Sequence, residues 1–200
     1  MKLRTACLLI VCLGASVGFT APVLAQDTLQ SLAHDQAKFD RGTAAFDAGD
    51  YDTAYSIFQE LADDDDIAAM RNVALMKRKG LGTDRDPEGA REYLERAAQG
   101  GLPTAQYDLA EMMLDGEGGP ADPKGALPWL ASAAAAHHPL AEFRLGELYE
   151  EGTVVPQDLV KAESLYAEAA GRGVKEAGAR LSALEAAKAK SDAAGQPRSP

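Results

Sequence analysis

An all-α solenoid of stacked antiparallel helix pairs is expected here because the chain repeats itself at a fixed step. Shifted by 36 residues, Ala90, Ala126 and Ala162 coincide, as do the pairs Ala97-Ala98, Ala133-Ala134 and Ala169-Ala170. Gly80, Gly116 and Gly152 fall in one column and Ala105, Ala141 and Ala177 in another. Larger apolar residues keep the same step: Val73, Leu109, Leu145 and Leu181, then Met76, Met112, Leu148 and Leu184. A period of this length marks units that bury their apolar faces against one another. Within a unit the apolar residues return after three or four positions, as in Leu145, Leu148 and Tyr149, then Leu165, Tyr166, Ala169 and Ala170. That spacing gives each helix one buried face. The alanine columns permit close helix approach.

Turn signals divide each unit into two helices. Asp86-Pro87 and Asp122-Pro123 supply a capping acceptor followed by proline at the first helical position, where no N–H is needed. Pro103 and Pro139 open the next helices in the same way. Gly80-Leu81-Gly82 and Gly116-Glu117-Gly118-Gly119 close the first helix of a pair. Upstream, Phe39 to Ala62 forms a tighter pair around Gly42, Phe46, the Gly49-Asp50-Tyr51 turn, Ala54, Phe58 and Leu61.

The expected organisation follows from the amino terminus onwards. Lys2 and Arg4, the apolar run Leu8 to Phe19 and the compact Val23-Leu24-Ala25 form an export signal over 1–25, cleaved after Ala25. The run is short for a membrane span, so no stable insertion is expected after cleavage. Residues 26–62 hold the tighter helix pair. Three longer units follow within 66–190, at about 66–101, 102–137 and 138–173, with a capping helix at 175–190. The Ser, Gly, Pro and charge content of 191–200 points to a disordered tail.

Composition narrows the function. The 200 residues carry a formal charge of −11, and without Lys2 and Arg4 the remaining 18 basic and 31 acidic residues leave −13. Such a surface repels phosphate backbones and anionic headgroups, so nucleic acid is not an expected partner. Cys7 and Cys12 both lie in the export signal. The processed chain would therefore have no disulfide, thiolate metal site or cysteine nucleophile.

Motifs for chemistry were sought and give nothing. Gly14-Ala15-Ser16-Val17-Gly18 spells a nucleophile elbow, but lies in the apolar leader rather than on a strand-to-helix turn. H-E-x-x-H, a phosphate-binding glycine loop and S-x-x-K are absent. His137 and His138 are adjacent at a repeat junction and point about 100° apart on a helix, so two bonds to one metal are awkward and a solvated helix terminus is expected rather than a metal role. Asp63 to Asp66 lacks the spacing and glycine bend of a calcium loop; Asp66 is expected to cap a helix beginning near Ile67. Asp115-Gly116-Glu117-Gly118 is expected to be an inter-helix turn. No catalytic residue, metal ligand or cofactor site is assigned.

The sequence resembles the Sel-like repeat family, the 36-residue relative of the tetratricopeptide repeat. The match is clearest in Ala141-x-Phe143-x-Leu145-Gly146-x-Leu148-Tyr149-x-x-Gly152 and Asp158-x-x-x-Ala162-x-x-Leu165-Tyr166-x-x-Ala169-Ala170-x-x-Gly173. The preceding unit keeps Leu109, Gly116, Asp122, Ala126, Trp129, Ala133 and Ala134, with Ala110 at the glycine position and Met113 at the tyrosine. The unit before that has Lys77 at the tyrosine position. The resemblance covers roughly Asp66 to Lys190, and Phe39 to Ala62 looks like the shorter tetratricopeptide cousin. Some secreted members are stapled by cysteines in each repeat, a pattern absent here.

The resemblance implies a right-handed superhelical solenoid whose first helices line a concave surface. It places there Phe39, Thr43 and Phe46, then Arg71, Leu75, Arg78 and Lys79, then Tyr107, Glu111 and Leu114, then Phe143, Glu147 and Glu150. The implied role is a noncatalytic scaffold or adaptor, and the export signal with the alanine-rich composition points to the periplasm or envelope of a Gram-negative bacterium, or to secretion. Its partner would be a protein or peptide, bound by a groove basic near one end and acidic near the other. The alternatives are a secreted hydrolase acting on cell wall or β-lactams, and an envelope component that self-associates through its repeat ends.

Overall fold

The structure is a computed structural model that describes the backbone of residues 21–195 and the side chains of Gln30 and residues 32–190. The export signal up to residue 20, with both cysteines and Gly14 to Gly18, lies outside the described residues, as do 196–200 of the expected tail. The helices are α1 (Ala21–Asp47), α2 (Tyr51–Asp63), α3 (Ile67–Lys79), α4 (Pro87–Gln99), α5 (Pro103–Asp115), α6 (Pro123–Ala135), α7 (Pro139–Glu151), α8 (Leu159–Gly171) and α9 (Lys175–Gly195). No strand occurs among the described residues. The expected cleavage point after Ala25 falls within α1, and the first five residues expected in the tail fall within α9.

The chain divides into two units, Met1–Ala37 and Lys38–Pro200. In the first, the described part is the opening stretch of α1. The second contains every matched repeat.

Local chemistry sets the helix lengths. Each helix from α2 to α8 has 13 residues. Asp86 and Asp122 accept the backbone N–H of Gly89 and Gly125 at 2.9 Å, and Asp158 that of Lys161 at 3.0 Å. Asp66 accepts from both Ala68 and Ala69 at 2.8 Å, so the acidic run ends in a cap. At the other ends Gly80, Gly116 and Gly152 take left-handed φ of 69°, 70° and 71°, a conformation that favours glycine. Their N–H groups close on Met76, Met112 and Leu148 carbonyls.

Packing is between neighbours in sequence: α2 on α3, α3 on α4, and so on to α8 on α9. The core is made largely of the periodic columns. Ala54, Ala90, Ala126 and Ala162 are inaccessible, as are Ala69, Ala105, Ala141 and Ala177. Val73, Leu109 and Leu145 are buried beside Met76, Met112 and Leu148, and each such side chain contributes roughly 1.5–3 kcal/mol by leaving water. Because each unit contacts only the next, stability is approximately the sum of unit and interface contributions.

Lys77, where the pattern has tyrosine, has its own use. Its Nζ donates to Asp86 Oδ2 at 2.8 Å while Asp86 Oδ1 caps α4. The bond to Lys77, with that from Gly89, holds the Asp86 carboxyl below its ordinary value. One unit past Met113, Tyr149 instead accepts from Lys161 Nζ at 2.7 Å.

Candidate binding surface

Of the residues expected on the first-helix surface, Thr43, Phe46 and Lys79 are exposed and the others are half-buried, the position of side chains that both pack and face outwards. At the amino-terminal end Phe39 meets Phe58 edge-on, with centroids 5.3 Å apart, and Phe46 meets Tyr51 at 5.2 Å. Between α1, α2 and α3 these residues leave a cavity of about 320 Å³ lined by Phe39, Thr43, Phe46, Phe58, Asn72, Leu75 and Met76. Phe39 and Leu75 thus come together in one apolar hollow, with the amide of Asn72 and the hydroxyl of Thr43 as its polar groups. Thr43 donates to the Phe39 carbonyl at 3.2 Å.

Beyond the hollow the first helices are joined by ion pairs. Arg71 Nε on α3 meets Asp108 Oδ2 on α5 at 2.6 Å, and Arg78 Nε meets Glu117 Oε2 at 2.6 Å. Arg85 also reaches Glu117, at 3.0 Å. On the next step Arg144 of α7 donates to Glu111 of α5 at 3.1 Å and to Glu147 at 3.0 Å. Arg180 of α9 meets Glu147 at 3.4 Å and Glu150 at 3.5 Å. The charges expected to make one end basic and the other acidic are therefore partnered within the protein. Lys79 is the exposed cation of this face.

The aromatic members pack as well. Tyr107 stacks on His138 with centroids 4.9 Å apart, and Phe143 tilts against Tyr166 at 5.6 Å. Burial, with Glu111 nearby, pushes the Tyr107 hydroxyl up to about 12. Burial also raises the Glu111 carboxyl above its usual value, against the opposing pull of Arg144. Tyr166 donates its hydroxyl to Glu150 at 2.6 Å, and burial with that bond raises its pKa.

Sequence reasoning missed Asp108, Arg144 and Arg180. The signal was available: Asn72, Asp108, Arg144 and Arg180 form a 36-step column, and Glu111–Arg144 and Glu147–Arg180 share one sequence offset. It also missed Asn72 and Met76 as lining of the hollow. His138 is the cap of α7, its Nδ1 accepting from Ala141 N–H at 3.3 Å. His137 lies apart from it, beside Glu142.

Fold and surface together define a helical repeat scaffold of the kind that mediates protein interactions. The chain belongs to the Sel1 repeat family: the Sel1 repeat matches residues 67–102, 103–138 and 139–174. Among solved structures it is similar to a Sel1 repeat protein from Oxalobacter formigenes, with 31% identity and a TM-score of 0.68 over 72% of this chain and 58% of that one. It is also similar to a protective antigen of uropathogenic Escherichia coli strains that displays an SLR fold. There the identity is 24% and the TM-score 0.70, over 75% of this chain and 33% of that one. This chain thus spans less than two thirds of the length of either. No curated protein matches by sequence. Among the described residues no helix is long and apolar enough to cross a membrane.

Proposed function

We propose that the chain is an exported, noncatalytic adaptor that binds a protein or peptide along its first-helix face, anchored in the hollow at Phe39, Phe46 and Leu75. The observation that carries this reading is the hollow itself. It is apolar, has two polar groups to orient a ligand, and sits where Phe46 is still 36% exposed. An apolar side chain of a partner would fill it, and the paired charges of Arg71, Arg78, Glu111, Glu147 and Glu150 would form a polar rim. Tyr107 and Phe143 extend the contact along the face. In this reading residues 1–25 direct export to the periplasm or beyond, 26–62 provide the aromatic end of the groove, and 66–190 the three repeats and cap.

The test is photo-crosslinking from position 46 in envelope extract, with Leu75→Ala and Phe46→Ala as binding variants and circular dichroism as the check on helicity. A crosslinked partner that binds the purified protein, and binds either variant at least about tenfold more weakly, is the expected result. Equal binding by both variants would remove the hollow from the interface. Crosslinks only between copies of the chain, with sedimentation that depends on concentration, would replace the adaptor with a self-associating component.

A further inference from the structure

Among the described residues Glu142 is the one wholly buried carboxylate. It lies on α7 where the equivalent positions one and two units earlier are Gln106 and Met70. Arg172 Nε reaches both its oxygens, at 3.0 and 3.1 Å. His137 Nδ1 stands 3.5 Å from Glu142 Oε1, the same oxygen that Arg172 reaches at 3.0 Å. Glu168 of α8 completes a group in which one ligand atom from each residue lies within 4.8 Å of the others.

His137 occupies an unusual position. Asp65, Gly101, His137 and Gly173 form a 36-step column at the turns between units, with φ of 64°, 85°, 61° and 97°. Two of the four are glycine, which adopts this conformation freely, whereas a side chain with a Cβ takes it less readily. The other junctions within the matched repeats lack the trio: the equivalents of His137, Glu142 and Glu168 are Gly101, Gln106 and Ser132, and before them Asp65, Met70 and Arg96.

We propose that His137, Glu142 and Glu168 bind one divalent transition metal ion, with zinc as the best chemical fit, at the junction of the second and third matched repeats. Imidazole and carboxylate oxygen suit zinc, and three protein ligands leave a fourth position for water. Ligand atoms about 2.0–2.1 Å from a tetrahedral ion lie roughly 3.3–3.5 Å apart, so the spacing of His137 and Glu142 already matches. Glu168 is exposed, and its ligand oxygen already lies within 4.8 Å of the other two ligand atoms. Arg172 then serves as the outer partner that orients Glu142. Two carboxylates against one guanidinium leave a net negative charge to attract the ion. Bound there, it would tie the turn before α7 to α8.

The experiment uses the full chain, with Zn²⁺ and Co²⁺ as probes and Mg²⁺ as the control. The expected result is one equivalent bound and a thermal unfolding midpoint that rises with Zn²⁺ but not with Mg²⁺. His137→Gly places at this turn the residue found at Gly101 and Gly173, so it should fold as well as the parent and lose the metal-dependent rise. Glu168→Gln should weaken Zn²⁺ by about tenfold or more. Co²⁺ should give visible d–d absorption that His137→Gly abolishes. Three results would each overturn the proposal: a rise that persists in His137→Gly, a thiolate charge-transfer band assigning the ion to Cys7 and Cys12, or no response in the parent. The last would leave His137 as a neighbour of Glu142 with no ion between them.

Discussion

The ring of Tyr166 lies against the backbone of Gly146, so that a Cβ added to Gly146 would stand 2.8 Å from Tyr166 Cε1 and 2.9 Å from Cδ1. Gly42 has the same relation to Phe58, whose Cε1 would be 2.9 Å from its Cβ. In the two units between, the positions equivalent to Gly146 and Tyr166 hold Ala74 with Leu94 and Ala110 with Leu130. An aromatic ring on the second helix thus goes with glycine on the first, and leucine with alanine. Volume is conserved across each pair, as close packing demands.

Gly146→Ala should therefore destabilise the protein by about 1–3 kcal/mol through overpacking. Tyr166→Leu should also destabilise it, through lost burial and the lost bond to Glu150. The double variant reproduces the Ala–Leu combination of the earlier units and should be more stable than the sum of the two losses. Urea unfolding of the four proteins measures the coupling; strict additivity would count against the packing account.

Arg172→Leu should be among the more damaging surface changes. It leaves the carboxylate of Glu142 buried without its cation, a loss of about 3–5 kcal/mol. Pairing Arg172→Leu with Glu142→Gln should recover much of that, since the amide at Gln106 is buried at the equivalent position and donates to the Ala98 carbonyl. Denaturation midpoints of the single and double variants check both statements.

His138 makes stability depend on pH. Burial lowers its pKa from an ordinary 6.5, outweighing the nearby Asp108 carboxylate. The unfolded chain then binds the proton more readily than the folded one between the lowered value and 6.5, so stability rises with pH across that window. The contribution is complete above 6.5 and is lost as pH falls through the window. His138→Asn keeps a capping acceptor and should flatten this slope in unfolding measurements between about pH 5 and 7.

Arg144→Ala removes the cation shared by Glu111 and Glu147 and leaves two half-buried carboxylates facing each other. A loss of about 1–3 kcal/mol is expected, larger than for an isolated surface pair. Added salt should narrow the gap between variant and parent, because it screens the carboxylate repulsion. An equal gap at low and high ionic strength would argue that Arg144 acts through its packing alone.

The helices and their columns were legible because they follow from one-dimensional signals: the step, the apolar spacing and the capping residues. The Asp86 and Asp122 caps, Asp66 at the end of its acidic run and the glycine stops all act within a few residues of where they sit. The site was legible only in part. Phe39 and Leu75 were placed together on one surface, but the hollow they share also needs Phe58 from the second helix and Asn72 and Met76 from the third. Arg71 and Arg78 read as open charges in the sequence because their partners, Asp108 and Glu117, lie a whole unit away; Glu147 pairs both with Arg144 on its own helix and with Arg180 a unit later. Glu142 escaped notice for a similar reason: burial of a carboxylate depends on Arg172, 30 residues later in the chain.

The shared offset of Glu111–Arg144 and Glu147–Arg180 constrains how such a chain can lengthen. The unit 139–174 carries both the base that pairs with the unit before it, Arg144, and the acid that pairs with the helix after it, Glu147. A tandem duplicate of 139–174 would bring its own copies of Arg144 and Glu147 and slot between existing neighbours with no charge left over. A duplicate of 67–102 would instead bring Asn72 and Leu75 to those two places and interrupt the ladder. Gene duplication would therefore extend the array near its carboxyl-terminal end with the ladder intact, while the amino-terminal units, which lack the pair, stay unique, a polarity of growth written in the pairing of two residue types.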